Sequence, residues 1–217
     1  MVLFPSESLA FLRWFMSIRL GLQCCVLALG VAIIIFFSVA FAQSPGLELP
    51  EAESTVTSYV DDGALDELFL RLAEAPDAAT AMPIAQNIWQ IWLNPNVPEL
   101  ADLMEEAAAS ARLGDISYAI RIFSAVIDKY PSYAEGWNQR ATMYFLVGNY
   151  PASFDDVEEV LAREPRHFGA LSGKAVMHFR LGERTEALQA IIEALRYHPY
   201  LPARAMFEEL LAPPTNT

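Results

Sequence analysis

Between residues 61 and 211 apolar side chains recur at helical spacing, and single glycines and prolines break the pattern at regular intervals. In residues 134–167 the pattern predicts two helices. The first carries Trp137, Ala141 and Tyr144, Gly148 makes a turn, the second carries Val157 and Val160, and Pro165 ends the unit. Such a pair cannot bury its apolar face alone, so neighbouring copies are expected. A shift of 34 residues finds them. Gly148 falls on Gly114 and Gly182, and Pro165 on Pro131 and Pro199. The same shift aligns Leu103, Trp137 and Leu171; Ala107, Ala141 and Ala175; Phe123, Val157 and Ile191; and Ile127, Leu161 and Leu195. Ala119, Ser153 and Ala187 make a further small-residue column, which predicts close approach of paired helices.

A period of 34 residues with an aromatic, a small residue, a turn glycine and a closing proline at fixed offsets resembles the tetratricopeptide repeat family. The resemblance implies an all-α fold, a right-handed solenoid of antiparallel helix pairs, with repeats at 100–133, 134–167 and 168–201. Residues 61–97 predict a degenerate helical hairpin. Leu65, Leu68, Phe69 and Leu72 stripe its first helix behind Asp61 and Asp62, and Pro76 ends it. Ile84, Ile88, Ile91 and Trp92 stripe the second, with Pro83 read into its first turn. The hairpin is expected to cap the stack, Trp89 and Trp92 covering the first repeat; the alternative is that the tryptophan pair lines a ligand site. Pro202 opens a last capping helix and tail, 202–217, with Met206, Leu210 and Leu211 on its apolar side.

The resemblance further implies a protein-binding groove lined by the first helix of each repeat. The side chains expected to face it are Met104 and Arg112; Glu135, Asn138, Thr142, Phe145 and Leu146; and Val176, Phe179 and Arg180. Its apolar centre and charged edges suit an extended or helical protein segment, with Asn138 bonding the segment's backbone. Packing between repeats is the alternative for Met104, Phe145 and Phe179. The family's carboxylate clamp for chaperone peptides is not matched, because Met104, Ala108, Gln139, Gly169 and Gly173 stand where cationic and amide groups are needed. On the second helix of the central repeat, Asp155, Asp156, Glu158 and Glu159 predict a solvated outer face, and Glu106 is expected to pair with Arg140.

Upstream the pattern changes. After Arg19 an apolar run reaches Ala42, ending Ala40-Phe41-Ala42 before Gln43. It predicts a signal peptide over 1–42 cleaved after Ala42, with Met16 a candidate start; residues 20–42 are also long enough for an uncleaved anchor. Residues 43–60, with Pro45, Pro50 and a Ser/Thr cluster, predict a flexible linker. Cys24 and Cys25 both lie in the apolar run, so cleavage would leave no cysteine for a disulfide or a thiolate-bound metal.

The formal net charge is −13, and no basic run follows the apolar segment, which argues against nucleic acid as a partner. His167, His178 and His198 form no ligand pattern, no HExxH sequence occurs, and the glycines stand singly rather than as a phosphate loop. The sequence therefore predicts no enzyme, no cofactor and no metal. The expected role is an exported, periplasmic adaptor that binds a protein or peptide segment in its groove. The alternative is an accessory subunit held at the inner membrane by the uncleaved apolar segment, with its repeats outside the cytoplasm. End-to-end self-assembly of the stack is a third reading.

Overall fold

The computed structural model describes residues 58–211. The expectations for the signal or anchor, the two cysteines, most of the linker and the tail beyond Leu211 lie outside these residues. The described chain forms helices throughout: α1 Asp62–Ala73, α2 Ala78–Leu93, α3 Pro98–Arg112, α4 Ile116–Lys129, α5 Ala134–Leu146, α6 Tyr150–Arg163, α7 Phe168–Arg180, α8 Arg184–Tyr197 and α9 Arg204–Leu211. Side chains at several starts accept the otherwise unpaired first-turn amides. Asp61, Asp77, Asp115 and Asn149 receive the N–H of Ala64, Thr80, Tyr118 and Ala152. Because Asp77 sets the start of α2 at Ala78, Pro83 is its sixth residue and not part of the first turn. An interior proline removes one backbone bond, and here it does so on an exposed face.

Three antiparallel pairs, α3–α4, α5–α6 and α7–α8, repeat the same arrangement. Each pair turns at a glycine in the left-handed region: Gly114, Gly148 and Gly182 have φ of 87°, 77° and 79°. A side chain there would clash with its own backbone, which is why the turn column is invariant within the chain. Within each pair the small-residue columns meet. Ala107, Ala141 and Ala175 are buried, as are Ala119, Ser153 and Ala187. The Ser153 hydroxyl donates to the Ala141 carbonyl at 2.7 Å, so its polar group is satisfied in the seam. Phe123, Val157 and Ile191 fill the space beside them.

On α6, Asp155, Glu158 and Glu159 are exposed as expected, whereas Asp156 and the partner of Arg140 differ from the expectation. Asp156 is buried rather than solvated, and Arg140 pairs with it bidentately at 2.8 and 2.7 Å while reaching Ser124 at 3.0 Å. Arg140 thus bridges α4 and α6 from α5. Glu106 instead accepts the Tyr118 hydroxyl at 2.7 Å. A guanidinium fork matches a carboxylate in two bonds, which Arg140 makes with Asp156, while the Glu106 carboxylate is engaged by Tyr118.

The hairpin α1–α2 does not simply cover the first repeat. It lies along the repeats, with α2 against α5 and α1 against α8. Trp89 and Trp92 reach the loop between the second and third repeats, where Trp92 stacks on His167 with ring centres 4.1 Å apart. Phe69 packs on Phe168 and Tyr197. Polar ties reinforce the seam. Arg166 is bound by both oxygens of Glu164 at 2.9 Å, bonds Asp66 of α1 at 2.6 Å, and lies over the Phe69 ring. Tyr200 donates to the Pro76 carbonyl at 2.7 Å, and Tyr133 donates to that of Trp92. At the C-terminal end, Leu210 of α9 is buried, Leu211 is exposed, and Arg184 donates to the Leu210 carbonyl at 2.8 Å.

Ala141 is 3% exposed in the seam between α5 and α6. Ala141→Leu is expected to overpack it and lower the unfolding free energy by about 1–3 kcal/mol, read from chemical denaturation. An unchanged midpoint would show that the seam has room.

Candidate functional site

The first helices α3, α5 and α7 present one face in common, and the hairpin divides it into two halves. The half toward the helix N-termini is closed. Met104, Glu135 and Asn138, all expected in the groove, are buried. Glu135 lies in the first turn of α5, where the helix dipole favours a carboxylate. It accepts from Asn138 at 3.2 and 3.1 Å, from Gln139, and from His167 Nε2 at 3.0 Å. The tautomer of His167 follows from its other nitrogen. Nδ1 accepts the Ala170 N–H at 3.0 Å and caps α7, so Nε2 carries the proton that Glu135 receives. Asn138 is therefore spent inside the protein and does not wait for a partner's backbone. Burial, and after it the charge of Glu135, pushes the nearby Tyr133 phenol well above its usual pKa.

One residue makes the closure possible. A Cβ at Gly169 would lie 2.4 Å from the Trp89 ring, so only glycine admits the indole at the start of α7. Neither Phe69, Trp89, Trp92 nor His167 belongs to the repeat columns that face the groove, and sequence reasoning does not place them there. The available signal is Gly169 itself, a glycine in the first turn of a helix, in the column of Ala101 and Glu135.

The half toward the glycine turns is open. Thr142, Phe145, Val176 and Phe179 are partly exposed, and Leu146 and Arg180 are exposed. The Thr142 hydroxyl bonds back to the Asn138 carbonyl at 2.9 Å, leaving its methyl group to the surface. Arg180 lies over Phe145 with its guanidinium carbon 4.6 Å from the ring centre. Phe145 packs in turn beside Tyr150, 5.8 Å away. On α3, Arg112 is exposed and paired with Glu105 at 2.8 Å. Leu113, Val147 and Leu181 extend the apolar surface along the turns, at 88%, 55% and 47% exposure. The structure thus brings Thr142, Phe145, Leu146, Val176, Phe179 and Arg180 to one open surface, and removes Met104, Glu135 and Asn138 from it. An apolar strip edged by guanidinium groups can hold a protein segment. Among the described residues no group of three His, Cys, Asp or Glu side chains is placed to bind a metal, and no helix is long and apolar enough to cross a membrane.

No protein-family model matches the chain. A TPR repeat-containing protein of Rhizobium etli is 37% identical over 135 residues, 62% of this chain and 66% of that protein. A tetratricopeptide repeat and J domain-containing co-chaperone of Cryptococcus neoformans is 29% identical over 76 residues, 35% of this chain and 15% of its own length. The chain therefore spans just under two thirds of the first of these relatives and a small part of the second. Among solved structures, the Sgt2 TPR domain from Aspergillus fumigatus superposes with a TM-score of 0.50 at 19% identity, covering 56% of this chain and 89% of that one, which is a likeness of fold.

Two glycines of α7 should respond oppositely to a methyl group. Gly169→Ala meets Trp89 and is expected to destabilise by about 1–3 kcal/mol. Gly173→Ala meets nothing within 4 Å and should stabilise by up to about 1 kcal/mol through helix propensity. Thermal unfolding of the two variants checks the contrast, and equal shifts would contradict the placement of Trp89.

Proposed function

As a member of the tetratricopeptide-repeat family, this chain is, we propose, a non-catalytic binding module that holds a segment of a partner protein along the open half of its first-helix face. One observation carries the reading. The hairpin already fills the N-terminal half with Trp89 and Trp92, while Thr142, Phe145, Leu146, Val176, Phe179 and Arg180 stay accessible beside it. A contiguous exposed apolar strip marks an interaction surface. A segment lying across α5 and α7 would bury Leu146 and Val176 as its central contacts, the part of an interface where most binding energy concentrates.

The module works outside the cytosol in this proposal. The support is the apolar run that follows Arg19 and ends Ala40-Phe41-Ala42, the pattern of an export signal. A second reading rests on the length of the same run, which suffices to stay in the bilayer and tether the repeats to a membrane complex.

Two measurements test these proposals. Peptides selected from a displayed random library on the wild-type chain should lose binding at least tenfold to the Leu146→Glu, Val176→Glu variant, with its helical circular dichroism unchanged. Unaltered affinity would remove the open face from the reading. N-terminal sequencing of the protein recovered from the exported fraction should begin at Gln43; a start upstream, together with resistance to carbonate extraction, would favour the tethered form, and retention in the cytosol would defeat both.

A further inference from the structure

Arg112, Leu146 and Arg180 occupy one column of the repeat, and the two arginines are not in the same state. Arg112 is neutralised from within its own helix, by Glu105 seven residues earlier at 2.8 Å. Seven residues before Arg180 stands Gly173, the 34-residue counterpart of Glu105 two repeats on. A Cβ there would meet no atom within 4 Å, so the place above it is open. Among the described residues no carboxylate forms an ion pair with Arg180. Its guanidinium is nevertheless positioned, lying over Phe145 and donating at 3.5 Å to the Tyr150 hydroxyl. A guanidinium held on an aromatic face keeps its remaining N–H groups directed and loses little freedom on binding a carboxylate. Val176, one helical turn before Arg180, is partly exposed, and Leu146, next to Phe145 in the chain, is exposed.

We infer that Arg180 with the open place at Gly173 is a receptor for an acidic side chain of the partner, an Asp or Glu next to an apolar residue. The partner's carboxylate occupies, relative to Arg180, the position that Glu105 occupies relative to Arg112. The apolar neighbour lies on Leu146 and Val176. This inference rests on the open face being the binding face and adds the chemistry of what it binds. The net charge of −13 repels an acidic segment over most of the surface, so the attraction is local to Arg180. Such an arrangement trades some encounter rate for specificity of register.

The test uses the full chain and a displayed library of random twelve-residue peptides with blocked termini. Selected peptides should be enriched in Asp or Glu beside Leu, Ile, Phe or Met. A synthetic copy of the best peptide should bind Arg180→Gln roughly tenfold or more weakly, as loss of a charge-assisted pair requires. Gly173→Glu supplies the missing carboxylate in cis and should weaken the acidic peptide to a similar degree, whereas Gly173→Ala should not. Replacing the peptide's acid by its amide should remove the effect of both variants. Peptides that bind the Leu146 and Val176 surface with no acidic preference, or with no response to Arg180→Gln and Gly173→Glu, would overturn the carboxylate receptor and leave the binding face standing. Failure to select any peptide would overturn both.

Discussion

The fold turns on the contact between the indoles of Trp89 and Trp92 and the loop His167–Phe168–Gly169. Each side of this contact covers groups that the other would leave exposed. The hairpin would expose Phe69, Trp89 and Trp92, and the repeats would expose Phe168 and a buried polar group, Glu135. Brought together, the rings exclude water and leave Glu135 with donors on several sides. A carboxylate withdrawn from water is tolerated only with such a complete set of partners. His167 serves both parts of the contact, stacking on Trp92 while donating to Glu135 and capping α7. Removing the indoles would therefore disturb a helix start and a buried charge as well as an apolar surface.

This contact also decides where binding can occur. The first helices have about the same length throughout the stack, and without the hairpin their whole common face would be available. With it, the half carrying Glu135 and Asn138 becomes interior, and the half carrying Leu146 and Arg180 becomes the surface. The Arg140–Asp156 pair shows the same logic on the other side of the repeats, where a carboxylate that resembles a solvated charge becomes an internal strut between helices.

The repeats are readable from the sequence because each structural demand recurs three times. A turn that needs positive φ shows as Gly114, Gly148 and Gly182, and a seam that needs small side chains shows as Ala107, Ala141 and Ala175. Periodicity carries the α3–α8 arrangement for that reason. The docking of the hairpin happens once and has no period. Asp66 meets Arg166 and Pro76 meets Tyr200 across 100 and 124 residues, and nothing in the local pattern around either partner announces the other. Glu135 and Asn138 illustrate the consequence: their helix and column are legible, but their exposure depends on Trp89 and Trp92, about fifty residues earlier. Thr142, Phe145, Leu146, Val176, Phe179 and Arg180 remain on the surface because that distant element stops short of them.

The ties at Asp66–Arg166 and Pro76–Tyr200 have a further effect on how the molecule can change. In an open array each unit touches only its neighbours, so a unit can melt, or be gained or lost over generations, at the cost of one interface. Here the ends of the described chain are laced to its middle and far side. A strap of fixed length has to reach a fixed loop, so inserting or deleting one 34-residue unit would carry the loop out of reach. The number of repeats is in this sense constrained by the hairpin, and melting of the third repeat would also break its contacts with α1 and the α1–α2 turn. Fraying, which ordinarily begins at the ends of a helical array, is turned into an event of the whole.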